Sequence, residues 1–284
     1  MKILLSGANG FLGSAIMRLS PCTKLIRASS TSEGIPIYSG DIEKLIRGSN
    51  ATAIIHCAAL SSAANCQADP TQAQAGNVEL TRTLAKLADQ LNLHFVYIST
   101  DLVFDGNLTP PEGFTEGEIP EPRSVYSCTK RAAEELVLHN RSYSILRISL
   151  LYGPATGDSR GVLGWMLDSF SAGHPINAFH DEVRTPLFVE DAAKVALLVA
   201  DRRLQGIFHV SGRERVNRVE FSEMVAVAYG YPKQLIQSVS RLTMGQDPPR
   251  SPDLSLNSNK LWKAVGFEPV SLKRGLYESA HFTR

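Results

Sequence analysis

The sequence predicts an α/β fold: a Rossmann-type, doubly wound parallel sheet followed by a smaller C-terminal lobe. An apolar run, Ile3 to Leu5, feeds directly into three glycines at 7, 10 and 13. The first half of the chain then alternates apolar strand-like runs with helical patterns, as in a parallel sheet covered on both faces. After Gly153-Pro154 this alternation loosens, marking a change of architecture.

The first strand, Ile3 to Ser6, ends in the glycine loop, and a helix follows from Phe11 to Leu19. Glycine permits a turn of positive φ and lets backbone N–H groups come close to a pyrophosphate, whose charge the N-terminus of the next helix stabilises. The GxxGxxG spacing differs by one residue from the GxGxxG dinucleotide pattern, but its place after the first strand is the expected one. Further strands are read at Lys24 to Ala28, Ile35 to Tyr38, Ala53 to Cys57, His94 to Ser99 and Ser144 to Ile148. Helices are read at Pro70 to Leu91 and Val125 to Asn140. Beyond them lie a helix near Val162 to Ala172, a helix opening at Glu190-Asp191, a strand at Ile207 to Val210 and a helix from Val219. The stretch Asp247-Pro-Pro-Arg-Ser-Pro252 interrupts any helix and reads as a surface loop. Residues 1–153 are expected to form a dinucleotide-binding domain that also receives strands from about 178–212; residues 154–177 and 213–284 form the smaller, substrate-binding lobe.

With 284 residues, 43% hydrophobic and a net charge of +1, the chain can bury a large core. No block of like charge points to nucleic acid or a membrane surface. Cys22, Cys57, Cys66 and Cys128 form no CxxC pair and have no histidine at metal-ligand spacing, which fits reduced thiols and no metal site. The apolar start is too short for a signal peptide and no apolar run reaches bilayer length, so a cytoplasmic protein is expected.

Ligands of such sheets bind beyond the carboxyl ends of the strands. There stand Ser99, Thr100 and Asp101, and further on Tyr126 and Lys130, whose i, i+4 spacing puts them on one helical face. A lone YxxxK is weak, since chance gives roughly 0.3 matches in a chain of this composition. Tyr229 and Lys233 share the spacing, but Gly230 and Pro232 between them break the helical turn. The first pair suits hydride transfer to a carbonyl, where the oxygen must gain a proton as hydride arrives. Tyr126 would supply it, with Lys130 lowering a phenol pKa that is ordinarily about 10 and holding a ribose hydroxyl. Thr100 would hydrogen-bond and polarise the carbonyl, and Ser99 is the lesser donor. The plainer alternative makes Tyr126 a helix-start aromatic, Lys130 a solvated residue and Thr100 a strand-end cap. His56, inside an apolar strand, reads as a packed, hydrogen-bonded residue.

These residues resemble, in order along nearly the whole chain, the extended short-chain dehydrogenase/reductase superfamily, and within it the dTDP-4-dehydrorhamnose reductase family. The run Gly7-Ala-Asn9-Gly10-Phe11-Leu12-Gly13 resembles the cofactor loop, Asp41-Ile42 the adenine-contacting turn, and Cys57-Ala58-Ala59 the strand lining the cofactor. STDLVFDG from Ser99 and YSCTK from Tyr126 resemble the catalytic segments; RISLLYGP from Arg147, GIFHVSG from Gly206 and PPRSPDLSLNSNKL from Pro248 resemble the distal motifs. The resemblance implies a reductase of a 4-keto sugar nucleotide, with Ser61, Asp101 and Leu150 beside the substrate. Leu150 stands where the rhamnose enzymes carry tryptophan, and Ala64 and Gln67 stand where they tend to be acidic, which implies an altered sugar pocket. Leu102 replaces the glutamate of a 4,6-dehydratase. A sugar epimerase with retained NAD(P) stays open, as does a non-catalytic role, because the regulatory beta subunit of methionine adenosyltransferase resembles the same family.

Twenty residues past Gly7, where an NAD-binding chain places an acid, stands Arg27, with Ser29 and Ser30 following. A cation and hydroxyls suit a 2′-phosphate, so NADPH is the expected donor, with NADH as the alternative. Arg250 and Arg184 are the candidates for the substrate's diphosphate, since a guanidinium fork matches phosphate oxygens. A homodimer is expected only by analogy of fold.

Overall fold

The structure, a computed structural model, describes residues 2–20, 24–29, 35–36, 41–154, 161–244 and 250–282. The first half runs β1 (Lys2–Ser6), α1 (Phe11–Leu19), β2 (Lys24–Ser29), β3 (Ile35–Pro36), α2 (Asp41–Ser49), β4 (Ala53–His56), α3 (Ala63–Ala68) and α4 (Pro70–Gln74). After a π-helical turn, Ala75–Glu79, come α5 (Leu80–Gln90), β5 (His94–Thr100), α6 (Val125–Val137), β6 (Tyr143–Ile148) and β7 (Leu151–Tyr152). The remainder is α7 (Gly161–Ser171), β8 (Ile176–Phe179), β9 (Val183–Arg184), β10 (Leu187–Phe188), α8 (Val189–Arg202) and β11 (Gly206–Val210). It closes with β12 (Val216–Asn217), α9 (Arg218–Tyr229), β13 (Ile236–Val239), α10 (Asn259–Val265) and α11 (Leu272–Ala280).

A seven-stranded sheet in the order β11-β6-β5-β4-β1-β2-β3 forms the centre, and its strand pairs are parallel. Alternate side chains along each strand feed two cores. Ile3, Leu5, Ile55, Val96 and Leu146 meet α1 and α8 on one face, while Leu4, Ile54, Phe95, Tyr97 and Ile145 meet α2, α5 and α6 on the other. Burial on both faces explains why these strands read as continuous apolar runs. Chain order reverses between β1 and β4, the switch point at which such sheets open a crevice.

The helix α2 departs from the sequence reading, which treats Asp41-Ile42 as a turn. Ile42 and Ile46, four residues apart, both enter the core and fix the helix, and Asn50 ends it at φ +51°. A third core, around Tyr152, Phe170, Phe188, Phe221 and Leu276, lies among α7, α9 and α11. Of the segments between 178 and 212, β11 joins the central sheet and α8 covers it, whereas β9 pairs with β12 and β10 with β7. Among the described residues no helix is long and apolar enough to cross a membrane.

Candidate active site

The chain leaves β1 through Gly7 at φ +73°. A Cβ there would lie 2.6 Å from the Ala58 nitrogen, so glycine permits both the turn and the approach of the β4 strand end. A Cβ on Gly13 would overlap the Gly7 carbonyl oxygen, so α1 seats on the loop only as glycine. Gly10 precedes α1 without a side-chain cap and its N–H donates to the Gly7 carbonyl at 3.0 Å. A glycine cradle against an uncapped helix N-terminus fits a dinucleotide pyrophosphate.

From this loop a cleft of about 990 Å³ runs along the carboxyl ends of β1, β4, β5 and β6. It brings together Gly7, Asn9, Gly10, Phe11, Leu12, Gly13, Cys57, Ala58, Ala59, Ser61, Ser99, Thr100, Asp101, Tyr126, Lys130 and Leu150. Burial pushes the Cys57 thiol up to about 12, so this wall stays neutral. Leu60, Leu102, Ile98 and Ile148 add apolar lining that the sequence reading had not placed in the cleft.

A reciprocal cap starts α6: Ser127 N donates to Ser124 Oγ at 3.1 Å, and Ser124 N donates to Ser127 Oγ at 2.9 Å. This cap places Tyr126 in the first turn and Lys130 one turn later. Burial raises the Tyr126 phenol above its ordinary value and the nearby Asp101 and Cys66 raise it further, while a hydrogen bond with Thr100 opposes them. Lys130 is buried, donates from Nζ to the Ile98 carbonyl at 2.6 Å and lies 4.2 Å from the centre of the Tyr97 ring. Burial lowers it to about 7, with Glu134 and Cys57 acting against the shift.

Several expectations change here. The Lys130 ammonium gives one of its N–H donors to the Ile98 carbonyl, a partner the sequence reading did not foresee. Thr100 caps the following 3-10 turn, accepting from Leu102 N at 3.2 Å and donating to Asp101 Oδ1 at 3.1 Å, so it must leave Asp101 to donate elsewhere. Ser99 lines the cleft, but its hydroxyl donates to Glu134 at 2.5 Å. Ile42 packs in the core and does not line the cleft. Arg184 and Arg250 also stand off the cleft wall and meet on buried Glu182, at 3.5 and 2.9 Å. Arg218 joins them at 3.7 Å, and Arg184 reaches Asp101 Oδ2 at 3.7 Å. Burial raises the Asp101 carboxyl against the effect of Arg184. The side chains of Arg27, Ser29 and Asp41 lie outside what the structure describes. Among the described residues no group of three or more His, Cys, Asp or Glu side chains is placed to hold a metal ion.

Two buried features support the cleft without having been singled out in the sequence. Asn77, in the π-helical turn, accepts from Leu60 N at 2.7 Å and donates to the Leu60 carbonyl at 3.2 Å and to Thr129 Oγ1 at 3.0 Å. Thr129 in turn donates to the Tyr126 carbonyl at 2.8 Å, so Asn77 joins the wall after β4 to the helix carrying Tyr126. An asparagine inside a helical stretch was the available signal, since such residues disfavour helix interiors. The second feature is a buried ion pair, Glu134 with Arg147, at 2.8 and 3.0 Å. His56 is held between Ser6 Oγ at 2.6 Å and Thr81 Oγ1 at 3.0 Å, a packed role.

Comparison with known proteins matches residues 1–282 to the RmlD substrate binding domain. The chain belongs to that family. Among curated relatives, this RmlD-type chain is 31% identical to a probable low-salt glycan biosynthesis reductase, Agl14, of Haloferax volcanii, over 84% of this chain and 83% of that protein. It is 29% identical to methionine adenosyltransferase 2 subunit beta of Xenopus tropicalis, over 98% and 86% of the two chains. The RmlD-type fold superposes on a dTDP-4-dehydrorhamnose reductase ortholog of Clostridium acetobutylicum with a TM-score of 0.87, at 26% identity and covering 98% of each chain. The reductase of Bacillus anthracis, solved with NADP, superposes with a TM-score of 0.89 at 24% identity, again covering 98% of each.

Proposed function

We propose that this chain is an NADPH-dependent reductase of a 4-keto sugar carried on a nucleotide. The carrying observation is that one cleft holds both the glycine cradle and the Thr100, Tyr126 and Lys130 set. The solved NADP complex of a similar fold and the glycan biosynthesis reductase among its relatives support the reading. Gly7, Gly10 and Gly13 would hold the pyrophosphate, and Arg27 and Ser29 the 2′-phosphate, with NADH as the weaker alternative. Asp41 and Ile42 would border the adenine through the backbone of their segment. The bound nicotinamide supplies a hydride to the carbonyl carbon. Thr100 hydrogen-bonds the carbonyl oxygen, Tyr126 gives it the phenolic proton, and Lys130 holds the ribose and stabilises the phenolate that remains. Raised by burial and by Asp101, the phenol keeps its proton until the carbonyl oxygen becomes basic.

Residues 154–177 and 213–284 form the substrate-binding lobe in this reading. Ser61, Asp101 and Leu150 border the sugar, and Leu150 makes that end of the cleft apolar. Arg250 and Arg184 would bind the diphosphate by sharing or leaving Glu182. The protein acts in the cytoplasm, alone or as a homodimer. NADPH absorbance followed with dTDP-4-keto-6-deoxyhexoses tests the reading: oxidation that needs both the sugar and Tyr126, judged with Tyr126→Phe, is the expected result. No oxidation across a panel of keto sugars rejects it. Isomerised sugar without net NADPH use would instead mark an epimerase. The relation to methionine adenosyltransferase 2 subunit beta favours a second reading, an NADP-binding subunit of a larger assembly. A stable partner on purification together with inactivity toward sugars would support it.

A further inference from the structure

We propose that Glu134 is a positioning residue for Lys130: its carboxylate, fixed by Arg147 and Ser99, keeps Lys130 an ammonium within a buried wall of the cleft. The inference rests on the reductase reading for its catalytic consequence, though not for its effect on cofactor binding.

Glu134 follows Lys130 by one turn of α6 and is fully buried. Its two oxygens accept from Arg147 Nε and Nη2 at 3.0 and 2.8 Å, from Ser99 Oγ at 2.5 Å and from Arg131 Nη1 at 3.2 Å. Arg147 stacks over Phe104 at 5.2 Å and leaves Nη1 without a hydrogen-bond partner. A buried ion pair with an unsatisfied donor is a poor device for stability, because apolar side chains of similar volume often serve as well or better. Its carboxylate does, however, carry negative charge into a region with a cation to hold.

Lys130 is surrounded by groups that burial keeps neutral. From the β4 side come His56, lowered to about 3, and Cys57, raised to about 12. From β5 comes Tyr97, and from its own helix Tyr126, both phenols pushed above their ordinary value. Arg147 on β6 and Arg131 on α6 add positive charge; Arg131 is shared with the exposed Glu135, and Glu134, one turn from Lys130 on α6, takes Arg147. Glu134 therefore supplies the formal negative charge that favours the ammonium against burial, which with that charge in place still leaves the group near 7. An uncharged Lys130 would neither donate fully to ribose hydroxyls nor stabilise a phenolate.

The test uses Glu134→Gln, which keeps the shape and removes the charge. That change leaves Arg147 buried without its carboxylate, so Glu134→Gln with Arg147→Met is prepared beside it to remove both charges together. NADPH affinity is titrated by cofactor fluorescence from pH 5.5 to 9 in wild type and both variants, and the pH profile of kcat is recorded with the keto sugar. The expected result is that the alkaline loss of affinity and of kcat moves to lower pH by about one unit in Glu134→Gln, a tenfold fall at pH 8, and in the same direction by less in the double variant, which also lacks the Arg147 cation. The KM for the sugar stays within about twofold, since uniform binding is untouched. Lys130→Met removes the pH dependence of affinity. A folded double variant whose profiles coincide with wild type would overturn the proposal and leave Glu134 a structural ion pair. Should no keto sugar be turned over, the reductase reading fails, while the affinity titration still decides on Glu134.

Discussion

Alanine substitutions at the three loop glycines separate folding from cofactor binding. At position 13 the new methyl group overlaps the Gly7 carbonyl oxygen, and backbone rather than a flexible side chain must move. At position 7 it meets the Ala58 nitrogen at 2.6 Å and also occupies φ +73°. At position 10 the nearest atom is the Gly7 oxygen at 3.3 Å, and φ is −73°, open to any residue. Overpacking costs about 1–3 kcal/mol, and left-handed backbone without glycine costs about 1–2 kcal/mol more. A chain of this size loses about 2–4 °C per kcal/mol. Gly13→Ala should therefore melt about 2–12 °C below wild type, Gly7→Ala lower still, and Gly10→Ala within about 2 °C. In NADPH titrations Gly10→Ala should nonetheless lose about tenfold in affinity, about 1.4 kcal/mol, because the second glycine lets backbone approach the pyrophosphate. Differential scanning fluorimetry and fluorescence titration read the two effects. If Gly10→Ala melts as low as Gly13→Ala, or Gly13→Ala matches wild type in both assays, the cradle described here is wrong.

The buried histidines make stability depend on pH. His56 and His209 are lowered to about 3 and His94 to about 4, chiefly by burial. The unfolded chain takes up their protons near pH 6.5 and the folded chain does not, so stability falls as pH drops from about 6.5 towards 4, by up to about 1.4 kcal/mol per unit for each histidine. Equal urea midpoints at pH 7 and pH 5 would contradict this. Asn77→Ala leaves the Leu60 N–H without its acceptor and the Leu60 carbonyl with the Cys66 thiol; it should cost about 1–3 kcal/mol and speed hydrogen exchange at Leu60, whereas unchanged exchange would remove Asn77 from its linking role. Glu182→Gln leaves Arg184, Arg218 and Arg250 without their shared carboxylate and should cost about 3–5 kcal/mol by chemical denaturation; a change below about 1 kcal/mol would mean that the arginines find other partners.

Much of the cleft was legible because its residues follow strands whose apolar runs are visible locally. Once β1, β4 and β5 are placed in a parallel sheet, Gly7, Cys57 and Thr100 must emerge on one edge. Helix α2 escaped because the resemblance gives Asp41-Ile42 as a turn, and its apolar face shows only when Ile42 and Ile46 meet the sheet. The direction of the Ser99 hydroxyl was hidden for another reason: its acceptor, Glu134, is thirty-five residues away.

Periodicity, glycine placement and the order of motifs in the chain determined the sheet, the glycine loop and the helix that aligns Tyr126 with Lys130, because each depends on neighbours within one or two turns. Tertiary structure alone decided how the charges pair: Lys130 onto the Ile98 carbonyl, Glu134 onto Arg147, and three arginines onto Glu182. Buried charges are settled by whichever opposite charge the fold brings within reach, and sequence spacing carries no record of that distance.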